Sequence, residues 1–154
     1  YYWPGCRTSR KAGRFHDGAT AQKNIQLLID KALFRNLFNV HWPAIFQIDG
    51  NFGYVAGVNE CLIGYQDGVI ELLPALPPDW REGKMNGAQI RGARIGFSWK
   101  NGQVTQVSSD REIILSGKNL AKNCRIGELI RLKEGTWWKN QQKKDGRSWG
   151  LSSV

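Results

Sequence analysis

The feature that most constrains the fold is a change of hydrophobic period at Gln66-Asp67-Gly68. Before this point, apolar residues recur every three or four positions, which places them on one face of a helix. After it, they alternate with polar residues or form short runs bounded by Gly and Pro, as in strands. The sequence therefore predicts an α+β chain, with a helical part over residues 1–66 and a β part over residues 67–154.

Two helices are predicted before the change of period. The first spans about residues 18–34, where apolar residues keep helical spacing and either Asp17 or Gly18 would cap the start. The second spans about residues 51–66 and is apolar around much of its circumference, which indicates packing on several sides.

Short strands are predicted after the change of period. Lys100-Asn101-Gly102-Gln103 has the Asn-Gly pair of a hairpin turn. The strand candidates are residues 69–73, 88–91, 94–100, 104–107, 112–115 and 128–132. The mixture of Lys, Gln, Gly and Ser from Lys139 onward is typical of unfolded chain. Apart from that last strand candidate, no structure is assigned to residues 117–154.

The formal charge of +9 normally suggests a nucleic acid or an anionic surface as partner, but its distribution argues otherwise. Residues 1–14 hold four basic and no acidic side chains, and residues 117–154 hold nine basic and three acidic ones. The span between them, residues 15–116, holds nine basic and ten acidic side chains and is nearly neutral. Because the excess lies at the two ends and no nucleic-acid motif is present, we expect no nucleic-acid partner.

Neither a membrane span nor a metal site is predicted. No apolar stretch is long enough to cross a bilayer. Cys6, Cys61 and Cys124 are an odd number of widely separated cysteines, which supports neither a zinc site nor a disulfide framework, and Cys61 is expected to be a buried free thiol. The sequence starts at Tyr1 without a methionine, so the compartment stays open, as does the oligomeric state.

Asp49 is the candidate for chemistry, in the run Phe46-Gln47-Ile48-Asp49-Gly50-Asn51-Phe52-Gly53. An Asp-Gly pair just before a helix is a usual cap or turn, and that is the structural interpretation. The functional interpretation is a carboxylate in a glycine-lined bend that a substrate can approach closely. The amides of Gln47 and Asn51 can either bind a sugar or tie down this bend, and the second role is favoured. Phe46 and Phe52 are expected to be buried against the helices.

The longer string NLFNVHWPAIFQIDGNFG resembles the NLFD-x-HPPFQIDGNFG signature of glycoside hydrolase family 95, the inverting α-L-fucosidases and their α-L-galactosidase relatives. Downstream, Asp67 to Pro77 resembles the family's DG-x-IHLLPALP phrase. Gly87 to Gly102 resembles its RG-G-F-x-V-x-W-x-x-G phrase. The resemblance covers about residues 15–108. It implies the last helices of an (α/α)6 barrel, followed by part of an antiparallel C-terminal β-sandwich.

The resemblance also implies roles for two residues. Asp49 would polarise an asparagine amide, which then acts as base toward the attacking water, while a glutamate elsewhere protonates the leaving oxygen. His41 would hydrogen-bond a substrate hydroxyl. The substrate would be a fucosylated oligosaccharide or glycan, and no cofactor is implied.

The sequence departs from the signature in two places. His41 and Phe46 are separated by two more residues than in HPPF, which would shift His41 relative to Asp49 unless the loop bulges. Asn39 stands where the signature has an aspartate. The asparagine and glutamate of the mechanism have no counterpart in residues 1–36, so the chain alone is expected to be inactive. Because two helices cannot close a barrel of twelve, their apolar faces would be exposed and the chain is also expected to be poorly soluble.

Two rival hypotheses stay open. One is a non-catalytic carbohydrate-binding module, in which Trp137, Trp138 and Trp149 stack on sugar rings. The other is a nucleic-acid binder that uses the basic tail, with Lys139, Lys143, Lys144 and Arg147.

Overall fold

The computed structural model describes residues 16–41, 45–116, 119–120, 129–133 and 137–139. The helices are α1 (Gly18–Lys31) and α2 (Ile48–Leu62). The strands are β1 (Val40–His41), β2 (Ile45–Phe46), β3 (Ile63–Gln66), β4 (Val69–Leu72), β5 (Glu82–Ile90), β6 (Ala93–Lys100), β7 (Gln103–Ser109), β8 (Ile113–Ser116), β9 (Leu129–Leu132) and β10 (Trp137–Lys139). The predicted mixture of helices and strands is confirmed, and helix gives way to strand within a few residues of the expected point.

Both helices end before the predicted residue. The N–H of Ala32 donates to Leu28 O and closes α1, after which Leu33 forms a bridge to Asn39. Helix α2 begins at Ile48 rather than residue 51, and residues 63–66 leave it to form β3, which is paired with β4. Asp17 is the N-cap of α1, as expected, since its Oδ1 accepts a hydrogen bond of 2.9 Å from Thr20 N. Hydrogen bonds from the side chain and the backbone N–H of Thr20 lower the pKa of the Asp17 carboxyl.

The chain divides into two compact units. The first contains both helices, with the segment Leu73–Asp79. The second contains Tyr65–Leu72 and the described residues from Trp80 onward. The sequence predicts one division of the chain, near residue 67. In the structure, the later segment Leu73–Asp79 belongs with the helices.

The first unit has a small core between its helices and the segment Leu73–Asp79. The N–H groups of Leu73 and Ala75 donate to the carbonyls of Leu62 and Cys61 at the end of α2. At the start of α1, a Cβ on Gly18 would overlap the carbonyl of Leu76. The buried apolar residues described in this unit include Ala21, Ile25, Leu28, Ala32, Cys61, Leu62, Leu73 and Ala75.

The second unit contains two four-stranded sheets. One has the order β10-β7-β6-β5 and is antiparallel where its pairings are described; the other has the order β3-β4-β8-β9. In β6 every other residue is buried, because alternate side chains of a strand point to opposite faces. The predicted turn between β6 and β7 is confirmed, with Asn101 at φ 52° and Gly102 at φ 73°.

The expectation of a purely antiparallel β part is wrong for one pair of strands. β4 and β8 run parallel, with Val69 opposite Ile114 and Ile70 opposite Leu115. Parallel neighbours cannot be joined by a tight hairpin and need a long connection, which β5, β6 and β7 supply here. Strand β10 lies in a region to which the sequence assigned no structure.

No described helix is long and apolar enough to cross a membrane. Of the three cysteines, Cys61 lies in the described part of the chain; it is free and fully buried, as expected. Burial raises the pKa of the Cys61 thiol to about 11, and the neighbouring charge of Glu60 adds to the shift.

The buried thiol of Cys61 is expected to resist alkylation. With its pKa raised from 9.0 to about 11, the thiolate fraction at pH 8 falls about a hundredfold, and the thiolate is the reactive form. Because the unfolded thiol ionises first, Cys61 should contribute stability that is present below pH 9 and lost as the pH rises toward 11. The rate of iodoacetamide labelling of a variant with Cys6→Ser and Cys124→Ser measures the reactivity of Cys61, with the urea-unfolded chain as control. Equal rates for the folded and unfolded chain would contradict it.

Candidate functional site

Asp49 lies in the first turn of α2 rather than in a bend before the helix. Gln47 occupies the N-cap position, and its side chain makes no capping bond. The structural interpretation of Asp49 as a cap is therefore wrong, because the helix begins one residue before it. A carboxylate in the first turn is still favoured there by the positive end of the helix dipole.

The carboxylate of Asp49 is exposed and has a single hydrogen-bond partner among the described residues. Gln47 Nε2 donates to Asp49 Oδ2 over 2.9 Å. A carboxylate accepts more than one bond, so Oδ1 has capacity for a further donor. A donor supplied from outside the described residues, such as an amide N–H, could bind there.

Asn51 ties the start of α2 to the preceding loop, as predicted. Its Nδ2 donates to Leu37 O and its Oδ1 accepts from Asn39 N, both over 2.8 Å. Each end of the amide is therefore already occupied by backbone. This favours the structural role of Asn51 over direct binding of a sugar.

His41 lies in β1, opposite Ile45 in β2. The neighbouring pair is Val40 opposite Phe46. The side chain of His41 lies outside what the structure describes, and its predicted role in substrate binding stays a prediction. The same holds for the tryptophans and lysines of the two rival hypotheses.

The expectation that Phe46 and Phe52 are buried is wrong. Phe46 is 45% exposed and lies against Phe38, with 4.8 Å between ring centroids, and Phe52 is 67% exposed. Both belong to the large apolar side chains that are exposed on the helical unit, a set that we call the open face. Its other members are Leu27, Ile29, Phe34, Leu37, Phe38, Ile45, Ile48 and Val55.

Extensive exposure of large apolar side chains is unusual on a self-contained domain, where it marks binding sites or missing partners. Its members Ile48 and Phe52 lie one residue before and three residues after Asp49 on α2. Among the described residues, no cluster of three or more His, Cys, Asp or Glu side chains could hold a metal ion. The available chemistry is that of a single exposed carboxylate next to apolar surface.

Two protein-family models match the sequence of this chain. Residues 3–62 match the catalytic domain of glycosyl hydrolase family 95, and residues 65–147 match the C-terminal domain of glycoside hydrolase family 95. The chain belongs to glycoside hydrolase family 95.

Two curated relatives carry fucosidase names. Alpha-L-fucosidase 2 of Arabidopsis thaliana is 33% identical over 129 residues, which cover 73% of this chain and 15% of the relative. Probable alpha-fucosidase A of Aspergillus oryzae is 28% identical over 123 residues, which cover 66% of this chain and 17% of the relative. The chain thus spans less than a fifth of the length of either.

Proposed function

We propose that this chain supplies the C-terminal part of an inverting glycoside hydrolase that removes terminal α-L-fucosyl or α-L-galactosyl groups from glycans. The observation that carries the proposal is the exposed Asp49, held on a tied helix start that also exposes the open-face residues Ile48 and Phe52. The fucosidase names of the two relatives support the substrate class. In this proposal the helices are the last of an (α/α)6 barrel and the two sheets are part of a β-sandwich.

In the proposed mechanism Asp49 activates a base without being the base. Its carboxylate accepts a charge-assisted hydrogen bond from the N–H of an asparagine amide and raises the electron density on the amide oxygen. That oxygen then takes a proton from the attacking water, while a glutamic acid on the opposite side protonates the leaving oxygen. Neither partner is found in residues 1–36, so both would come from another part of the catalytic domain.

The test of Asp49 uses a chimaera in which this chain replaces the segment that it matches in the Arabidopsis relative. Asp49→Asn keeps the shape of the side chain and removes its charge, so kcat on a fucoside should fall by about 10²–10⁴-fold while KM changes little. Activity is followed by release of fucose. Retention of full kcat would remove Asp49 from the mechanism.

The matched control is Asp30→Asn. Asp30 is also an exposed helical aspartate, and its Oδ1 accepts a hydrogen bond of 2.8 Å from Gln26 Nε2. It lies on α1, outside the proposed site. Its replacement should leave kcat within about twofold of the parent chimaera.

The open face predicts that the isolated 154-residue chain self-associates and binds a hydrophobic dye. Leu37→Gln with Phe52→Gln should lower both effects, because these side chains are 68% and 67% exposed. Their stability cost should be within about 0.5 kcal/mol each, as for other surface changes. Sedimentation velocity and dye fluorescence measure the outcome, with the exposed Lys23→Gln as control. A monomer that binds no dye would contradict the proposal that other helices normally cover this face.

A further inference from the structure

Asn39 is a buried polar residue of the first unit. It is 4% exposed, and all of its described hydrogen bonds run to parts of the chain that are distant in sequence. Its side-chain Nδ2 donates to Ala32 O over 2.8 Å, at the end of α1. A buried polar group with such bonds fixes a local geometry, since leaving it unpaired is costly.

The backbone of Asn39 bonds to the residues two positions before and two positions after Asp49. The carbonyl of Asn39 accepts from Gln47 N over 3.0 Å, and the N–H of Asn39 donates to Asn51 Oδ1 over 2.8 Å. Asp49 lies midway between these two residues in the first turn of α2. The turn that carries the carboxylate is therefore attached to Asn39 on both sides.

Gly50 completes the contact. A Cβ added to Gly50 would overlap the amide of Asn39, so the two residues can meet only because Gly50 has no side chain. The first turn of α2 thus rests directly on the Asn39 amide, which is itself bonded to the end of α1. We call Asn39, Gly50 and Asn51 the Asn39 clamp.

The chemistry of the clamp requires a donor at position 39. A backbone carbonyl can only accept, so the atom that faces Ala32 O has to be the amide nitrogen. An ionised aspartate would place an acceptor-only oxygen against that carbonyl, with a buried charge. A protonated aspartic acid could still donate, because it carries an O–H.

We propose that Asn39 is the positioning residue for Asp49, and that its amide nitrogen holds the Asp49 turn of α2 against the end of α1. This inference rests on the proposed function only for the role of Asp49; the clamp itself can be tested without turnover. It also gives a structural role to Asn39, the residue that stands where the family signature has an aspartate.

The first test is Asn39→Asp in the 154-residue chain. At pH 7 the equilibrium constant for unfolding should rise by about 10²-fold, and the amides of Gln47 and Gly50 should lose most of their protection against hydrogen exchange. Since burial beside a carbonyl raises the folded-state pKa of the new carboxyl, its stabilising donor form is present at low pH and lost as the pH rises. The deficit relative to the unsubstituted chain should therefore shrink to less than about tenfold near pH 4. The other carboxyls are common to both chains and cancel in this difference.

The matched control is Asn36→Asp, three residues earlier in the same loop. Asn36 acts through its Oδ1, which accepts from Phe38 N over 3.1 Å, and a carboxylate can replace that acceptor. This variant should stay within about twofold of the unsubstituted chain at both pH values. A deficit of Asn39→Asp that does not change with pH, or unchanged protection of Gln47 and Gly50 at pH 7, would overturn the proposal.

A second pair of variants separates the clamp from general loss of fold. Gly50→Ala should destabilise the chain, and adding Asn39→Ala should recover part of that loss by removing the atoms that the new methyl group meets. Strictly additive effects would count against the clamp.

In the active chimaera, Asn39→Asp at pH 7 should lower kcat at least tenfold with little change in KM. An unchanged kcat there would overturn the positioning role. If Asp49→Asn left turnover intact, the proposed function would fail while the exchange and pH results still decided the clamp.

Discussion

Alanine at Gly18 is expected to destabilise the helical unit by about 2–3 kcal/mol, although alanine is the better helix former. The added Cβ would coincide with the backbone carbonyl of Leu76, which cannot rotate away as a side chain could. The same segment is held to α1 by Gln22, which bonds to both the backbone N–H and the carboxylate of Asp79. Thermal unfolding should show a fall in Tm of roughly 10–20 °C for a unit of this size.

Gly102→Ala is the comparison for this variant. At Gly102 no atom lies within 4 Å of an added Cβ, and only the positive φ of 73° resists the change. A cost of about 1 kcal/mol is expected there. If Gly18→Ala were as stable as the unsubstituted chain, the close packing of Leu76 on α1 would be refuted.

Phe97→Ala is expected to cost about 3–5 kcal/mol in the second unit. Phe97 is 3% exposed in β6, opposite Met85 and Val107 of the two neighbouring strands, and its ring lies 5.8 Å from that of Trp99. Truncation removes this contact area and leaves a cavity that the paired strands cannot easily close. Urea unfolding monitored by tryptophan fluorescence measures the loss.

Phe52→Ala makes the same chemical change on the open face. Because Phe52 is 67% exposed, its removal should alter stability by no more than about 0.5 kcal/mol. Similar losses for both phenylalanines would mean that Phe52 is covered in solution. Self-association of the chain would be the first explanation to examine.

Much of this architecture could be predicted from local pattern. The period of apolar residues located both helices and most strands, and Asn101-Gly102 located the hairpin because that pair accepts positive φ at both positions. The ends of α2 were misplaced for a physical reason: Ile48 and Asp49 suit either a bend or a first helical turn, and pairing with β4 decides the fate of residues 63–66. The parallel pairing of β4 with β8 is a long-range choice that leaves no local signal.

The candidate site divides in the same way. The tie made by Asn51 could be predicted, since amide side chains near a helix start have recognisable chemistry. The catalytic role of Asp49 stays a prediction. Burial of Phe46 and Phe52 could not, because apolar character does not say whether a partner is present. Asn39 drew notice only as a departure from a signature; its burial and its bond to Ala32 depend on the tertiary contact between the helices.

The place of Leu73–Asp79 has a consequence for dividing the polypeptide. The chain leaves the helical unit after Gly64, forms the β3–β4 hairpin of the second unit, and returns before leaving again at Trp80. No single cut separates the two units: one near residue 67 removes Leu73 and Ala75 from the helical core, and one after Asp79 carries off strands of the other unit. During synthesis, the helices therefore cannot complete their core until the ribosome has passed Asp79. An exchange of domains between relatives would have to move both units together.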